Sequence, residues 1–303
     1  MADSRTMELN GKTIAVTGAT GFLGRHIVDC LLSRGARVVG VVRTPDRVPE
    51  LLELGVEMRK ADLADRAALT RGFEGVDAVV SNAALLQLTN RDWAEHLRTN
   101  VEGTRNVMAA VAAAGCERVV HVSSIAVYKG RSGQTGITED HPRLTLEDRG
   151  FFNSYQVSKA VSESEAWASA AENGLALSCV RPSAIYGKHD QNFTRILKRL
   201  TRWPISVLPM GMTVPLVYAG DVAQAIALCL ERPTSVGRSY NTSSSVSART
   251  LLDEWAVASG SRPAVRVPVP VPYRQVVDSA RAMEELGWRP TSLEDGLRKT
   301  AAP

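Results

Sequence analysis

The sequence predicts an α/β protein in which a doubly wound parallel sheet forms most of the chain and a smaller C-terminal unit follows. Short apolar runs rich in β-branched residues alternate with helical stretches through the first half of the chain. A glycine-rich turn joins the first of these runs to the first helical stretch, and prolines punctuate the last third. Continuous apolar strands separated by helices are typical of a parallel sheet covered on both faces.

The predicted elements follow in order along the first 182 residues. Six strands are predicted, at Thr13–Thr17, Arg37–Val42, Val56–Ala61, Asp77–Ser81, Arg118–Ser123 and Ala176–Arg181. The longer helices between them are predicted at Phe22–Arg34, Asp92–Ala114 and Asn153–Asn173. Gly35 and Gly115 end the first two of these helices. The polar segment Lys129–Gly150 is predicted to be a loop over the edge of the sheet.

Regular patterning weakens after Pro182. A helix is predicted at Asp221–Glu231 and a last strand at Ser239–Thr242, whereas Pro268–Pro272 is predicted to be an extended connector. We therefore predict a first domain of residues 1–182, completed by roughly 216–243, and a smaller domain made of 183–215 and 244–303.

Composition and charge exclude several classes of protein. The chain has 303 residues, of which 44% are hydrophobic, and a net charge of +4. Its basic residues are scattered, without the stripe that nucleic-acid-binding proteins need. The four cysteines form no CxxC pair and no histidines have metal-ligand spacing, so we expect free thiols, no metal and a reducing, cytoplasmic location. We see no signal peptide in residues 1–12 and no apolar run long enough to span a bilayer.

The turn between the first strand and the first helix carries three spaced glycines. Glycines let the backbone turn tightly and approach a pyrophosphate, and the start of the helix offers N–H groups to the phosphates. Because this turn lies between a buried strand and a helix, it predicts a Rossmann domain that binds a dinucleotide. The cofactor-binding residues predicted from the turn are Gly18, Thr20, Gly21, Phe22, Leu23 and Gly24.

The residue after the second strand suggests which dinucleotide binds. An acidic residue there would bind the ribose hydroxyls and favour NAD, but the chain has Arg43. A cation favours the 2′-phosphate of NADP, so NADP is the preferred prediction and NAD the alternative. Further cofactor contacts are expected after the third and fourth strands, at Asp62, Leu63, Asn82, Ala83 and Ala84.

Tyr155 and Lys159 lie four residues apart on a predicted helix and therefore share one face. A free tyrosine, with a pKa of about 10, is a poor base at neutral pH, and a nearby ammonium lowers that pKa. Tyr155 could then exchange a proton with a substrate hydroxyl or carbonyl oxygen. Ser124 follows the fifth strand at the edge where ligands bind such sheets, so its hydroxyl could hold the same oxygen.

Taken together, these motifs resemble those of the extended short-chain dehydrogenase/reductases, the group that includes the NAD-dependent epimerase/dehydratases. The resemblance covers nearly the whole chain, and the matching pieces are TGATGFLG (17–24), ADL (61–63), NAA (82–84), HVSSIAVY (121–128), YQVSK (155–159), RPSAIYG (181–187), YAGDVA (218–223) and LGWRP (286–290). It implies a Rossmann domain with a small substrate-binding domain, a small-molecule substrate and often a homodimer.

The same resemblance implies roles for individual residues. Ser124, Tyr155 and Lys159 match the catalytic positions, and Asn100, which we count with the catalytic residues, matches a helix kink beside the active site. The remaining matches would lie with the cofactor, close to its nicotinamide end, at Ser123, Arg181, Pro182 and Ser183. Tyr155 and Lys159 are expected to contact the cofactor as well, Lys159 through the ribose hydroxyls.

Departures from the family pattern reduce the number of reaction types that we expect for this chain. The stretch Thr213–Val217 carries no charge where sugar-nucleotide enzymes have a phosphate-binding arginine, and Ile125-Ala126 stands where dehydratases have an Asp-Glu pair. Lys129 replaces a glycine of the pattern, which affects the loop beside the site. We expect an oxidoreductase with net hydride transfer to a carbonyl group. A sugar or sugar-nucleotide epimerase with transient oxidation by bound NAD is the first alternative, and a non-catalytic cofactor-binding regulator is the second.

Overall fold

A computed structural model describes residues 6–86, 92–130, 133–191, 193–202, 205–260 and 265–302. Seven parallel strands form its central sheet, in the spatial order β3-β2-β1-β4-β5-β6-β10. These strands are β1 (Thr13–Thr17), β2 (Arg37–Val42), β3 (Glu57–Lys60), β4 (Ala78–Ser81), β5 (Arg118–Val122), β6 (Ala176–Pro182) and β10 (Ser239–Thr242). The prediction of a doubly wound parallel sheet is confirmed.

Helices cover both faces of this sheet. These helices are α1 (Phe22–Ser33), α3 (Arg66–Gly72), α5 (Gly103–Ala113), α6 (Ser154–Asn173) and α8 (Ala219–Glu231). Because alternate residues of a strand point to opposite faces, Ile14 and Val16 pack with α1 and α8, while Ala15 packs on the other face with α3, α5 and α6. Two short helices, α2 (Pro49–Glu53) and α4 (Trp93–His96), complete this part of the chain.

The predicted helix Asp92–Ala114 is present but not uniform. Between α4 and α5 the chain forms a π-helical segment, Leu97–Glu102, which includes Asn100. Such π-bulges insert an extra residue per turn and are frequent at functional sites. The position that the sequence identified as a kink is therefore a real irregularity of the helix.

Two small sheets form the second part of the molecule. One has the order β11-β9-β7 and the other pairs β12 with β8. Their strands are β7 (Ala184–Tyr186), β8 (Ile205–Met210), β9 (Thr213–Tyr218), β11 (Ser244–Ser247) and β12 (Val265–Pro270). The accompanying helices are α7 (Phe193–Arg202), α9 (Ala248–Ala258), α10 (Ala280–Glu285) and α11 (Leu293–Ala301).

Several of these elements were not predicted, because prolines break their patterns. Residues 216–218 belong to β9 of the small sheet, so the boundary predicted at about 216 falls inside a strand. Pro268–Pro272 was predicted to be a connector, yet Pro268 and Pro270 lie in β12. The N–H of Val271 bonds Met210 across the sheet, so the alternate positions 268 and 270 face away from β8 and need no donor.

Within the described residues, no helix combines the length and the apolarity needed to cross a membrane. The same residues contain no group of His, Cys, Asp or Glu side chains arranged to hold a metal ion.

Candidate active site

A large cleft opens at the carboxyl ends of the parallel strands. Its volume is about 1220 Å³, above the roughly 300–1,000 Å³ of typical small-molecule sites. The Rossmann part contributes one side of the cleft and the small sheets contribute the other. The ligand position at the end of the strands is the one that open α/β sheets use.

The glycine turn forms one end of this cleft and is closely packed. Gly18 has a φ of +68°, and a Cβ atom there would lie 3.1 Å from the Cα of Ala83. A Cβ atom on Gly24 would lie within 2.8 Å of the backbone oxygen of Ala19. Gly21 precedes α1 without any side-chain cap, so the N–H groups of the first helical turn face the cleft unblocked. All six predicted turn residues line the cleft.

Thr17 ties this turn to the loop after β4. Its Oγ1 accepts hydrogen bonds from the backbone N–H groups of Asn82 (2.9 Å) and Ala83 (3.0 Å). The amide of Asn82 donates to the carbonyl oxygen of Thr17 at 3.3 Å. Asn82, Ala83 and Ala84 line the cleft, and the backbone of Asn82 and Ala83 is held by Thr17.

The loops after β2 and β3 also line the Rossmann side of the cleft. Arg43 is exposed and lines the cleft together with Thr44 and Arg47. Asp62 and Leu63 line it from the next strand. The carboxylate of Asp62 accepts a hydrogen bond of 2.9 Å from the N–H of Ala64, which holds this loop in place.

Ser124, Tyr155 and Lys159 line the same cleft. Ser124 follows β5 in extended conformation, and its Oγ accepts a hydrogen bond of 3.1 Å from the N–H of Ala126. Tyr155 lies in the first turn of α6, half-buried, and its ring makes a T-shaped contact with the imidazole of His96. The fold thus brings together the three residues that the sequence predicts for catalysis.

The Lys159 ammonium is almost fully buried, with 3% of the residue exposed. It donates a hydrogen bond of 2.9 Å to the carbonyl oxygen of Val122, at the end of β5. Burial lowers the pKa of Lys159 to about 8, an effect that the negative charge of Glu163 partly offsets. Lys159 is therefore a cation at neutral pH, with a pKa only slightly above neutrality.

Glu163, which the sequence analysis did not single out, is the centre of a buried polar cluster. Its carboxylate accepts hydrogen bonds from Ser123 Oγ (2.5 Å), Arg143 (2.8 Å), Arg181 (2.5 and 3.0 Å) and Trp167 (3.3 Å). Burial alone would raise the pKa of Glu163, but the hydrogen bonds and charges of these partners lower it to about 2. Ser123 lines the cleft, with its hydroxyl bound to Glu163.

Arg181 does not occupy the position predicted for it. Its guanidinium points into the buried cluster, where it also donates to Tyr128 Oη (2.9 Å) and to the carbonyl oxygen of Glu139 (2.9 Å). It is not among the residues that line the cleft, whereas Pro182 and Ser183 are. Its hydrogen bonds to Glu163 hold the Arg181 guanidinium in the buried cluster.

Asn100 fixes the π-helical segment rather than lining the cleft. Its amide donates to Ser158 Oγ (2.9 Å) and to the carbonyl oxygen of Leu85 (3.2 Å), and its Oδ1 accepts from the N–H of Leu85 (2.7 Å). Ser158 precedes Lys159 on α6, so Asn100 joins the π-helical segment to α6.

The small domain supplies a wall of the cleft that no sequence pattern predicted. Its described lining residues are mostly apolar, and they include no lysine or arginine. The members from this domain are Ala184, Ile185, Asp190, Phe193, Ile196, Met212, Val214, Pro215, Leu216, Tyr273 and Gln275. They come from four separate segments of the chain, 184–185, 190–196, 212–216 and 273–275, so no local sequence pattern predicts their proximity. His189, just outside this set, has a φ of +72° and lies 3.3 Å from a guanidinium nitrogen of Arg25.

The fold and the cleft define a dinucleotide-binding enzyme of the Rossmann type. Residues 14–242 match the model of the NAD dependent epimerase/dehydratase family. The chain belongs to this family, within the extended short-chain dehydrogenase/reductases, as its motifs indicated.

Individual relatives include both reductases and sugar-nucleotide enzymes. Sterol demethylase protein B of Methylococcus capsulatus is 37% identical over 59% of this chain and 53% of that protein. Cinnamoyl-CoA reductase 1 of Arabidopsis thaliana is 34% identical over 75% of this chain and 69% of that protein. The solved structure of MoeE5 in complex with UDP-glucuronic acid and NAD has a TM-score of 0.77 at 27% identity, covering 95% of this chain and 97% of that one. The match to the first relative thus spans about half of that protein's length.

Proposed function

We propose that this protein is an NADPH-dependent reductase that transfers hydride to the carbonyl group of an apolar small molecule. The observation that carries the proposal is the composition of the cleft: Ser124, Tyr155, Lys159 and Arg43 all line it, and its described small-domain lining contains no lysine or arginine. The similarity to a cinnamoyl-CoA reductase supports the same class of reaction.

The residues present fit a bound dinucleotide. The space beside Gly18 and Gly24 would be lost to a Cβ atom, and the uncapped start of α1 offers N–H donors for a pyrophosphate. Arg43 and Arg47 supply cations where a 2′-phosphate would lie. When bound, the reduced nicotinamide supplies the hydride for carbonyl reduction.

The chain's own groups then handle the proton. Ser124 Oγ donates to the carbonyl oxygen and holds it, and Tyr155 donates its phenolic proton to that oxygen as negative charge develops there. The positive charge of Lys159, one helical turn away, stabilises the tyrosinate that remains. In the reverse direction, Tyr155 accepts the proton of a substrate hydroxyl.

The small-domain wall supports an uncharged substrate. A diphospho-sugar would need cations to balance its phosphates, and the described lining residues from position 182 onward contain no lysine or arginine. Phe193, Ile196 and Met212 instead present apolar surface, which favours a substrate with a hydrocarbon or aromatic body.

Purified protein mixed with NADPH and a panel of aromatic and aliphatic aldehydes and ketones tests this proposal. We expect loss of nicotinamide absorbance with at least one carbonyl compound and formation of the corresponding alcohol. Tightly held NAD together with no net cofactor turnover across the panel would contradict it.

The second candidate is a sugar-nucleotide epimerase, favoured by the likeness to MoeE5, whose structure holds UDP-glucuronic acid and NAD. Incubation with UDP-sugars distinguishes it from the first, because an epimerase inverts a stereocentre without net change in NADH or NADPH. The uncharged Thr213–Val217 stretch and the apolar wall favour the reductase.

A further inference from the structure

Two polar side chains of the small-domain wall have no role in the proposed proton transfer. Tyr273 and Gln275 both line the cleft. Their backbone is held from two sides. The N–H of Gln275 donates to Thr213 O (3.1 Å) and Thr213 N–H donates to Tyr273 O (2.8 Å), while Val276 N–H donates to Gln134 O (3.0 Å). The two side chains therefore stand on rigid backbone rather than on a free loop.

The hydrogen bonds of this pair are incomplete. Tyr273 Oη donates to Gln275 Oε1 at 2.9 Å, which orients the amide and uses the phenolic proton. Gln275 is 2% exposed, and its Nε2 has no hydrogen-bond partner among the described residues. The pair thus retains unused donors on Gln275 Nε2 and acceptor capacity on Tyr273 Oη. A buried donor without a partner is unfavourable, so a ligand that reaches it gains the missing hydrogen bond.

We propose that Tyr273 and Gln275 form a specificity subsite for a hydroxyl group of the substrate, on a part of the molecule separate from the reacting carbonyl. A hydroxyl both donates and accepts, so it could donate to Tyr273 Oη and accept from Gln275 Nε2. This inference rests on the proposed reductase function and refines its substrate class to an apolar carbonyl compound that carries a hydroxyl substituent. Sites built to bind a hydroxyl discriminate against analogues that lack it, because the site's own polar groups then stay unpaired.

The test compares pairs of carbonyl compounds, such as hydroxyphenyl and phenyl ketones of the same skeleton. We expect the wild-type protein to favour the hydroxylated member by at least about tenfold in kcat/KM. Gln275→Met, which keeps the size and removes the amide, should lower this ratio to near one by reducing kcat/KM for the hydroxylated ketone. Tyr273→Phe should lower it as well, and serves as the second variant if Gln275→Met does not fold.

Gln224→Met is the matched control. Gln224 also has a buried amide oxygen without a partner among the described residues, but it lies on α8 outside the described lining. Its substitution should leave the ratio unchanged. A wild-type ratio near one, or a ratio that persists in both Gln275→Met and Tyr273→Phe, would overturn the subsite.

Failure of the reductase function is distinguishable from failure of the subsite. If no carbonyl compound is reduced, the same ligand pairs can be assayed by thermal shift in the presence of NADPH. A larger shift with the hydroxylated ligand that disappears in Gln275→Met would then support the subsite without the reaction. Equal shifts with both ligands would contradict the subsite.

Discussion

Lys159 and Glu163 lie one turn apart on α6 and bind consecutive residues at the end of β5. The ammonium of Lys159 donates to the carbonyl oxygen of Val122 at 2.9 Å, and the carboxylate of Glu163 accepts from Ser123 Oγ at 2.5 Å. Together these two contacts set the register of the helix on the strand. Tyr155, one turn before Lys159, and Ser124, one residue after Ser123, are thereby held in a fixed relation.

Replacing Glu163 by Gln should destabilise the protein and change its pH profile. The variant leaves Arg181 buried beside a neutral partner, which costs about 3–5 kcal/mol of unfolding free energy. Because the negative charge of Glu163 raises the pKa of Lys159, the alkaline fall of kcat/KM should also move to lower pH. Denaturant unfolding and a pH series of kcat/KM measure the two effects.

Glu165→Gln is the control on the same helix. Glu165 forms a partly exposed ion pair with Arg105, and exposed pairs contribute about 1 kcal/mol or less. If Glu163→Gln unfolds, Glu163→Asp keeps the charge and should retain the wild-type pH profile. Equal unfolding free energies for Glu163→Gln and Glu165→Gln would refute the central role of Glu163.

The alkaline limb of activity should report Lys159. The lysine is charged below its pKa of about 8, and its charge stabilises the tyrosinate, so kcat/KM should fall as the pH rises through about 8. Lys159→Arg keeps a cation at every accessible pH and should move this fall to higher pH while lowering the maximum rate. An unchanged limb in Lys159→Arg would assign it to another group. The assay is carbonyl reduction over a pH series in buffers of constant ionic strength.

Tyr155→Phe should remove the proton donor and little else. General acid catalysis contributes about 10²–10⁴-fold, so kcat should fall by that factor while NADPH affinity stays within about twofold. Stopped-flow or steady-state rates and fluorescence titration of NADPH measure these quantities. Tyr218→Phe, outside the described cleft lining, should keep the wild-type kcat. Retained activity in Tyr155→Phe would exclude Tyr155 as the acid.

Arg43→Ala should reduce the preference for NADPH over NADH. A charge-assisted hydrogen bond is worth about 1.5–3 kcal/mol, and since Arg43 is exposed we expect the lower end, roughly tenfold in kcat/KM for NADPH. The value for NADH should not change. Arg66→Ala, an exposed arginine of α3 that does not line the cleft, is the control. If wild type prefers NADH, the NADP assignment is wrong.

His121 should make the protein sensitive to acid. Burial, with a contribution from the charge of Lys159, lowers the pKa of His121 to about 3 from 6.5. The unfolded chain therefore binds a proton between pH 6.5 and 3 that the native protein does not, so stability is lost as the pH falls through this window, by up to about 1.4 kcal/mol per pH unit. His121→Leu should flatten the slope of unfolding free energy between pH 6.5 and 5. A slope equal to that of wild type would show that other groups cause it.

The sequence by itself determined the central sheet, the cofactor turn and the three candidate catalytic residues. These features are encoded locally. Strands and helices have apolar periods of their own, glycines are required at fixed offsets between β1 and α1, and Tyr155 and Lys159 share a helix face by spacing alone. Strands β1, β2 and β10 begin and end at the predicted residues.

The tertiary structure alone decided the rest. Arg181 belongs to a motif of the family, yet its side chain bonds Glu163 in the buried cluster and does not line the cleft. Tyr273 and Gln275 join the site only because their backbone pairs with Thr213, some sixty residues earlier in the chain. Proline-interrupted strands and walls gathered from separate segments have no period to detect. Contacts between residues far apart in the chain therefore determine what the cleft can bind, and local pattern cannot specify them.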